Sequence, residues 1–231
     1  MKFLLVALLG ILMLCNACAP VYIPNSRQVH LLDHRGELDG NFNAGTNGTD
    51  IQGAYAVSDH LGIMAAGSFD KANVKESNSD YHKHHYGELG LEYFTSMGKI
   101  GRFELGAGMG RGSATAVDHY DFISPRELKA TGKYNKLFIS SDVGLQTGML
   151  DLGVVARLGN VSFTEFETSS TTYTNTKSAT FFEPAALMRL GWKYIKLESQ
   201  IGFSKPFKKD LAFDYEPFYF SLGLNFNFST L

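Results

Sequence analysis

The segment 81–86, with the sequence YHKHHY, holds the densest group of side chains in the chain that could do chemistry. His82 and His84 are two residues apart, so on an extended strand they point to the same face. Two imidazoles on one face can bind a metal ion when a neighbouring strand supplies a carboxylate as third ligand. They could also be rim side chains in water, or act as general acid and base. The pattern predicts a candidate metal site at His82 and His84 and leaves these alternatives open.

Other catalytic signatures are weak. Ser113, His119 and Asp121 lie near one predicted loop, but this spacing is common by chance, and no GxSxG, HExxH or phosphate-loop motif occurs. Both cysteines lie within the first 18 residues, which leaves the mature body no disulfide framework or cysteine metal site. We therefore expect no catalytic residues, no cofactor and no enzymatic activity. The formal net charge of −2 argues against a nucleic-acid-binding surface.

A second set of polar residues recurs on the same face of successive segments. Its members are Glu88, Glu92, Arg102, Glu104, Asp142, Arg157, Arg189, Lys196 and Glu198. Both signs occur close in sequence, as in Glu92 near Arg102 and Arg189 near Glu198. Buried charges need partners, so this face predicts a salt-bridged network that fills a barrel interior and conducts little. An ion or solute path and a binding site are the alternatives.

The segments that carry these residues alternate apolar and polar side chains, the period of a β-strand. Ten such strands are predicted: 36–46, 49–58, 62–74, 81–96, 100–117, 128–147, 151–165, 179–191, 194–205 and 216–229. The even count and the strand lengths are typical of a ten-stranded antiparallel up-and-down transmembrane β-barrel. Pro184 cannot donate to a ladder, so the eighth strand should have an irregular outer end.

Connection lengths give the predicted barrel a direction. Tight turns at 58–61, 97–99, 148–150 and 191–193 alternate with longer polar connections near 75–80, 118–127, 167–178 and 206–215. Short turns normally face the periplasm and long loops the outside, so both ends of the barrel sequence should be periplasmic. A soluble lipocalin-like barrel also alternates. The small residues Gly40, Gly53, Gly67 and Ala107 on the apolar face favour the membrane barrel.

The first 17 residues are typical of a lipoprotein signal peptide. Lys2 precedes a run of about twelve apolar residues, too short for a membrane-spanning helix, which needs about 20. Cleavage before Cys18 would leave that cysteine for lipid and palmitate attachment, although Cys15 stands where leucine or valine is usual. A plain signal and an uncleaved anchor are the alternatives. Residues 18–35 then predict a periplasmic tether, and 36–231 the barrel.

Several short segments together resemble a family of uncharacterised barrel lipoproteins found in Bacteroidota. They are Cys18-Ala19-Pro20, Gly45-Thr46-Asn47-Gly48, the stretch from Tyr55 to Gly62, Tyr81-His82-Lys83-His84 and Phe122-Ile123-Ser124-Pro125. The resemblance covers nearly the whole mature chain but implies no transferable activity. Surface lipoproteins of that phylum usually carry acidic residues soon after the lipidated cysteine. Residues 19–22 lack them, which favours a lipid at the periplasmic leaflet.

The sequence thus predicts a non-enzymatic outer-membrane lipoprotein that serves as a structural or accessory envelope protein. Its partners would be outer-membrane lipid and an envelope protein that contacts the long outer loops. A narrow channel and a rim enzyme or metal site at His82 and His84 are the competing functions.

Overall fold

The computed structural model describes residues 20–71, 81–120, 126–169, 171–173 and 177–229. Their strands are β1 (Glu37–Gly45), β2 (Gly48–Ala56), β3 (Leu61–Lys71), β4 (Tyr81–Met97), β5 (Gly101–Tyr120), β6 (Arg126–Gln146), β7 (Leu150–Thr168), β8 (Thr171–Tyr173), β9 (Lys177–Gly191), β10 (Ile195–Phe203), β11 (Lys205–Pro206) and β12 (Phe218–Ser229). Among the residues described, no helix has the length and apolar character needed to cross a membrane.

Ten long strands form one closed antiparallel barrel. Each long strand pairs with the next long strand along the chain, β12 pairs with β1, and β7 pairs with β9. The short strands β8 and β11 only extend β7 and β9. The predicted fold class and the predicted count of ten strands are confirmed.

The strands point apolar side chains outward and polar side chains inward. On β4, Leu89 and Leu91 are 64% and 63% exposed on the outer surface, whereas Glu88 and Glu92 are 3% and 4% exposed. A barrel in water would have the opposite arrangement, because apolar surface is stable in hydrocarbon and buried charges need polar surroundings. The chain is a membrane β-barrel of the outer-membrane type.

The two ends of the barrel differ in their connections. Residues 57–60, 98–100, 147–149 and 192–194 are tight turns at one end, which we call the short-turn end. The opposite end, the loop end, carries the 46–47 turn and the longer connections, including 204–217. The usual relation between loop length and sidedness predicts that the loop end faces outward and the short-turn end faces the periplasm.

Pro184 interrupts one of the two ladders of β9. Toward β10 the pairing stops at Ala185 opposite Gly202 and resumes at Phe182 opposite Lys205. Toward β7 the register runs without a break through Pro184 opposite Ala156. The irregularity expected from Pro184 is therefore confined to its β10 side, since proline has no N–H for that ladder.

The chain before β1 runs through the inside of the barrel. We call residues 20–35 the lumen segment. Tyr22 forms a parallel bridge with Tyr215 at the loop end, and Asp33 lies 2.9 Å from Arg102 at the short-turn end. Residues 21–32 are buried. The predicted periplasmic tether is therefore wrong over residues 21–32, which are buried and whose polar side chains contact the inward-facing polar groups of the wall instead of bulk water.

Candidate functional site

The candidate site is the filled lumen together with its rim at the loop end. All nine residues of the predicted lumen charge network point inward, and none is more than 5% exposed: Glu88, Glu92, Arg102, Glu104, Asp142, Arg157, Arg189, Lys196 and Glu198. They are inward because they occupy alternate positions on paired strands. Their partners, however, come largely from the lumen segment and from residues outside the predicted set.

In the half nearer the loop end, one carboxylate gathers three cations. Glu183 accepts from Arg157 and Lys136 at 2.8 Å each, and Arg27 of the lumen segment lies 3.7 Å away. The Tyr22 hydroxyl donates to Glu183 at 2.5 Å and accepts from Lys136 at 2.8 Å. We call these five residues the Glu183 hub. Each has 1% exposure or less except Arg157, at 2%, so the three cations meet their shared carboxylate away from bulk solvent.

Arg157 links the hub to the rest of the lumen. Its guanidinium also donates to Glu88 at 3.2 Å and to the side-chain oxygen of Asn25 at 2.8 Å. Glu88 in turn accepts from Asn25 at 3.0 Å and from Gln28 at 2.8 Å. The lumen segment therefore adds donors that the wall alone does not supply.

Toward the short-turn end, three carboxyl groups lie together without a matching set of cations. Glu104 accepts the backbone N–H of His30 at 3.1 Å and of Leu32 at 2.7 Å, and it is paired with Asp142 across β5 and β6. Glu92 Oε1 and Asp142 Oδ1 are buried without a hydrogen-bond partner among the described residues. We call Glu92, Glu104 and Asp142 the acidic group. The expected Glu92 and Arg102 pair is absent here, because Arg102 instead binds Asp33 of the lumen segment.

A third set of charges lies on β9 and β10. Arg189 donates to Glu198 at 2.7 Å, the contact expected from their sequence phase. Lys196 pairs with Asp151 at 2.6 Å. Arg189 also donates to the backbone oxygen of Val29 and so contacts the lumen segment. Unlike the acidic group, these charges are satisfied by ion pairs.

Wall side chains also hold the backbone of the lumen segment. Gln200 accepts from Arg27 N at 2.6 Å and donates to Arg27 O at 3.0 Å, in the manner of a strand partner. Asp50 accepts both the backbone N–H and the hydroxyl of Ser26, at 3.0 and 2.5 Å. Such contacts replace water for the N–H and C=O groups of a chain that has no strand beside it.

Inward-facing glycines make room for the segment. A Cβ on Gly144 would lie 2.4 Å from Leu31 Cδ2, and one on Gly153 would lie 3.3 Å from Val29 Cγ1. Leu31 itself adopts a φ of 57°, the left-handed region that costs a non-glycine residue about 1–2 kcal/mol. The close fit at Gly144 therefore holds this residue in an otherwise unfavourable conformation.

A cavity of about 530 Å³ opens at the short-turn end. Its lining includes Asp33, Asp151, Arg189 and Lys196. Asp33 belongs to the lumen segment, so that segment forms part of the cavity wall. The cavity is a charged opening at the short-turn end.

At the loop end, the lumen segment docks on the connection 204–217. Val21 N and Tyr22 N donate to Asp214 O at 3.1 and 3.3 Å, and Glu216 N donates to Tyr22 O at 3.0 Å. Burial raises the pKa of Glu216 to about 6. The outermost described residues of the segment are thus fixed at the outer rim.

The histidines predicted to bind metal lie on the inner face of this rim. Asp70 of β3 is directly opposite His84 of β4, and ligand atoms of Asp70, His82 and His84 all lie within 4.8 Å of one another. Sequence analysis anticipated a carboxylate from a neighbouring strand but did not identify it as Asp70. The alternation of side chains along β3 could have shown that Asp70 points inward. Its position opposite His84 depends on the register between β3 and β4, which the sequence does not show.

The weak catalytic constellation is not assembled in the described part of the chain. Ser113 hydrogen-bonds to His85 at 3.2 Å on the outer face of β4 and β5, away from the lumen. Asp121 lies outside the described residues, and His119 is described only by its strand position.

No protein-family model matches the chain, and no curated protein sequence matches it either. Among solved structures, the translocator domain of the autotransporter NalP from Neisseria meningitidis has a TM-score of 0.45 at 12% identity, covering 98% of this chain and 94% of that one. LpxR from Salmonella typhimurium scores 0.40 at 10% identity over 82% and 99%. The N-terminal β-barrel domain of Pseudomonas aeruginosa OprF scores 0.38 at 12% identity over 85% and 100%. Likenesses this low indicate no function for the chain.

Proposed function

We propose that this protein is a non-enzymatic outer-membrane β-barrel lipoprotein that acts as a structural or accessory envelope protein. The observation that carries the proposal is the lumen segment, which crosses the interior and is bonded to the wall along its length. A barrel filled in this way has no open path for solute. Function is then left to the surfaces at the loop end, where envelope partners or external ligands make contact.

The central test measures conductance. Residues 21–32 are replaced by a glycine–serine chain of equal length, which removes the side chains that bind the wall but keeps the connection to β1. We expect the wild-type barrel to be silent in planar bilayers and the variant to show discrete current steps. Gel mobility of boiled and unboiled samples confirms that each barrel is folded. Current steps from the wild-type protein would instead favour the narrow channel.

A partner at the loop end is tested in intact cells. Crosslinking from the 204–217 connection should capture a defined envelope protein, and replacement of that connection by a short glycine–serine turn should abolish the capture. A protein that captures nothing specific from any loop-end position would count against the accessory role.

The path of the lumen segment supports an outer-face position for a lipid on Cys18. Pro20 is the first described residue and precedes Val21 at the loop end, while two residues span at most about 7 Å. A lipid on Cys18 would therefore lie at the outer face of the barrel. The expected anchor at the periplasmic leaflet relied on a tether that begins beside β1, and the threaded path gives it no support. The lack of acidic residues after Cys18 is a weaker indication than this path.

An epitope inserted after Ala19 tests the location. We expect an antibody to reach it on intact cells that still incorporate labelled palmitate, and to reach a second epitope in the 46–47 turn. An epitope at Gly98 is the matched negative control, since this residue lies in a short-turn-end loop with open space around it. Recognition of the Ala19 epitope only after permeabilisation would overturn an outer-face lipid. Loss of palmitate label in Cys18→Ser identifies the modified residue.

A further inference from the structure

The inner rim formed by β3 and β4 carries two histidines whose chemistry the filled lumen does not use. His82 Nε2 and His84 Nδ1 are both buried, and neither has a hydrogen-bond partner among the described residues. Leaving a buried polar atom unpaired costs about 1–3 kcal/mol, so two such atoms side by side indicate a missing partner. Their rings lie 5.2 Å apart between centroids.

Asp70 supplies the negative charge that a cation needs. Its carboxylate lies 3.8 Å from His82 Nδ1 and belongs to the residue paired with His84 across the two strands. The side chains of Asp70 and His82 are 36% and 21% exposed. An ion can therefore enter from the loop end, while His84 forms the buried floor of the site.

A hydrogen bond to a neighbouring strand orients the His84 ring. Ser68 Oγ lies 3.1 Å from His84 Nε2. In the tautomer in which Nε2 donates to Ser68, Nδ1 keeps a free lone pair for an ion. Metal-binding histidines have this arrangement, with one nitrogen oriented by a neighbour and the other bound to the ion.

We propose that Asp70, His82 and His84 bind a divalent transition-metal ion, with Zn²⁺ as the probe of choice. Two imidazoles and one carboxylate suit zinc and its neighbours in the first transition row, and three protein ligands leave at least one position for water or an outside ligand. Ser68 is a positioning residue that orients His84.

The experiment titrates Zn²⁺ alone into untagged, detergent-refolded protein by calorimetry. We expect one Zn²⁺ per chain and a loss of this binding in Asp70→Asn and in His84→Ala. His85→Ala is the matched control, because His85 is adjacent in sequence but points to the outer face. It should bind as the wild type does. Unboiled gel mobility verifies that every variant is a closed barrel.

A second readout separates ligands from structural supports. Electron paramagnetic resonance of the Cu²⁺ form should show two nitrogen donors in the wild type and one in His84→Ala. Ser68→Ala should retain two nitrogen donors but bind Zn²⁺ about 10-fold more weakly. The proposal is overturned if wild-type protein takes up no Zn²⁺, if His84→Ala binds it unchanged, or if His85→Ala loses it equally.

Discussion

The two halves of the lumen carry buried charge in different ways. In the Glu183 hub, one carboxylate is in contact with two wall cations and with Arg27 and Tyr22 of the lumen segment. In the acidic group, Glu104 depends on two backbone N–H groups, and Glu92 Oε1 has no hydrogen-bond partner among the described residues. Both halves are equally buried, so burial alone does not determine how well a charge is satisfied.

The difference lies in what the lumen segment provides at each level. Toward the loop end it inserts a guanidinium and a phenol into the hub. Toward the short-turn end it provides backbone N–H groups to Glu104, while its His30 ring contacts Asp39 and its Asp33 carboxylate contacts Arg102. The hub therefore depends on its carboxylate, and removal of that carboxylate leaves three buried cations without their shared counter-ion. The acidic group has an excess of carboxyl groups, so loss of Glu92 or Asp142 removes a group with an oxygen that no described residue hydrogen-bonds.

The largest effect is expected for Glu183→Gln. The amide keeps the shape but leaves Arg27, Lys136 and Arg157 without their shared carboxylate, a loss of about 3–5 kcal/mol for a broken buried ion pair. Urea unfolding of the barrel in lipid vesicles measures it. If Glu183→Gln costs less than about 1 kcal/mol, the hub cations have other partners or water, and the contrast between the two halves fails.

The barrel itself was predictable from the sequence because its signal is local. The last strand alternates Phe218, Phe220 and Leu222 with Tyr219 and Ser221, and this period alone gave 216–229 against the observed Phe218–Ser229. A shift of one residue would exchange the two faces, so the pattern also set which residues point inward.

The lumen segment was not predictable in the same way. Arg27 meets Glu183 and Gln200 across 156 and 173 residues of chain, and nothing near Arg27 in sequence marks these contacts. A polar segment without a regular alternation of apolar side chains is equally compatible with a tether in water and with a segment inside the barrel. The predicted pair of Glu92 and Arg102 was wrong for the same reason. These two residues are close in sequence, but Arg102 binds Asp33 instead. Asp70 is an intermediate case. The alternation along its strand predicts that its side chain points inward, but only the register between β3 and β4 brings it opposite His84.

A smaller loss is expected for Tyr22→Phe, which removes the hydroxyl between Glu183 and Lys136 but keeps the ring. Hydrogen bonds to charged groups contribute about 1.5–3 kcal/mol, so we expect a decrease of about 2 kcal/mol in the same unfolding assay. Tyr93→Phe on the outer surface is the control and should change stability by less than about 0.5 kcal/mol. Equal effects of the two substitutions would mean that the lumen segment does not support the hub.

Glu92→Gln should change stability little or increase it. The substitution is chemically identical to Glu183→Gln and equally buried, but it removes a carboxylate that has an orphaned oxygen. We expect a change within about 1 kcal/mol at pH 7. A loss as large as that of Glu183→Gln would show that the acidic group is paired as tightly as the hub, and the proposed difference between the halves would have to be abandoned.

The smallest effect concerns Glu216, where the loop end holds the outermost part of the lumen segment. Burial raises the pKa of this carboxyl to about 6 in the folded protein. A raised folded pKa means that the contribution to stability is complete below the ordinary glutamate range and is lost as the pH rises through about 6. Carboxyl ¹³C titration by NMR should give a midpoint near 6 for Glu216, and unfolding measured across this range should lose a small pH-dependent component in Glu216→Gln. A midpoint near the ordinary glutamate value would mean that Glu216 is exposed to water in the 204–217 connection. Water would then reach the outer end of the hub.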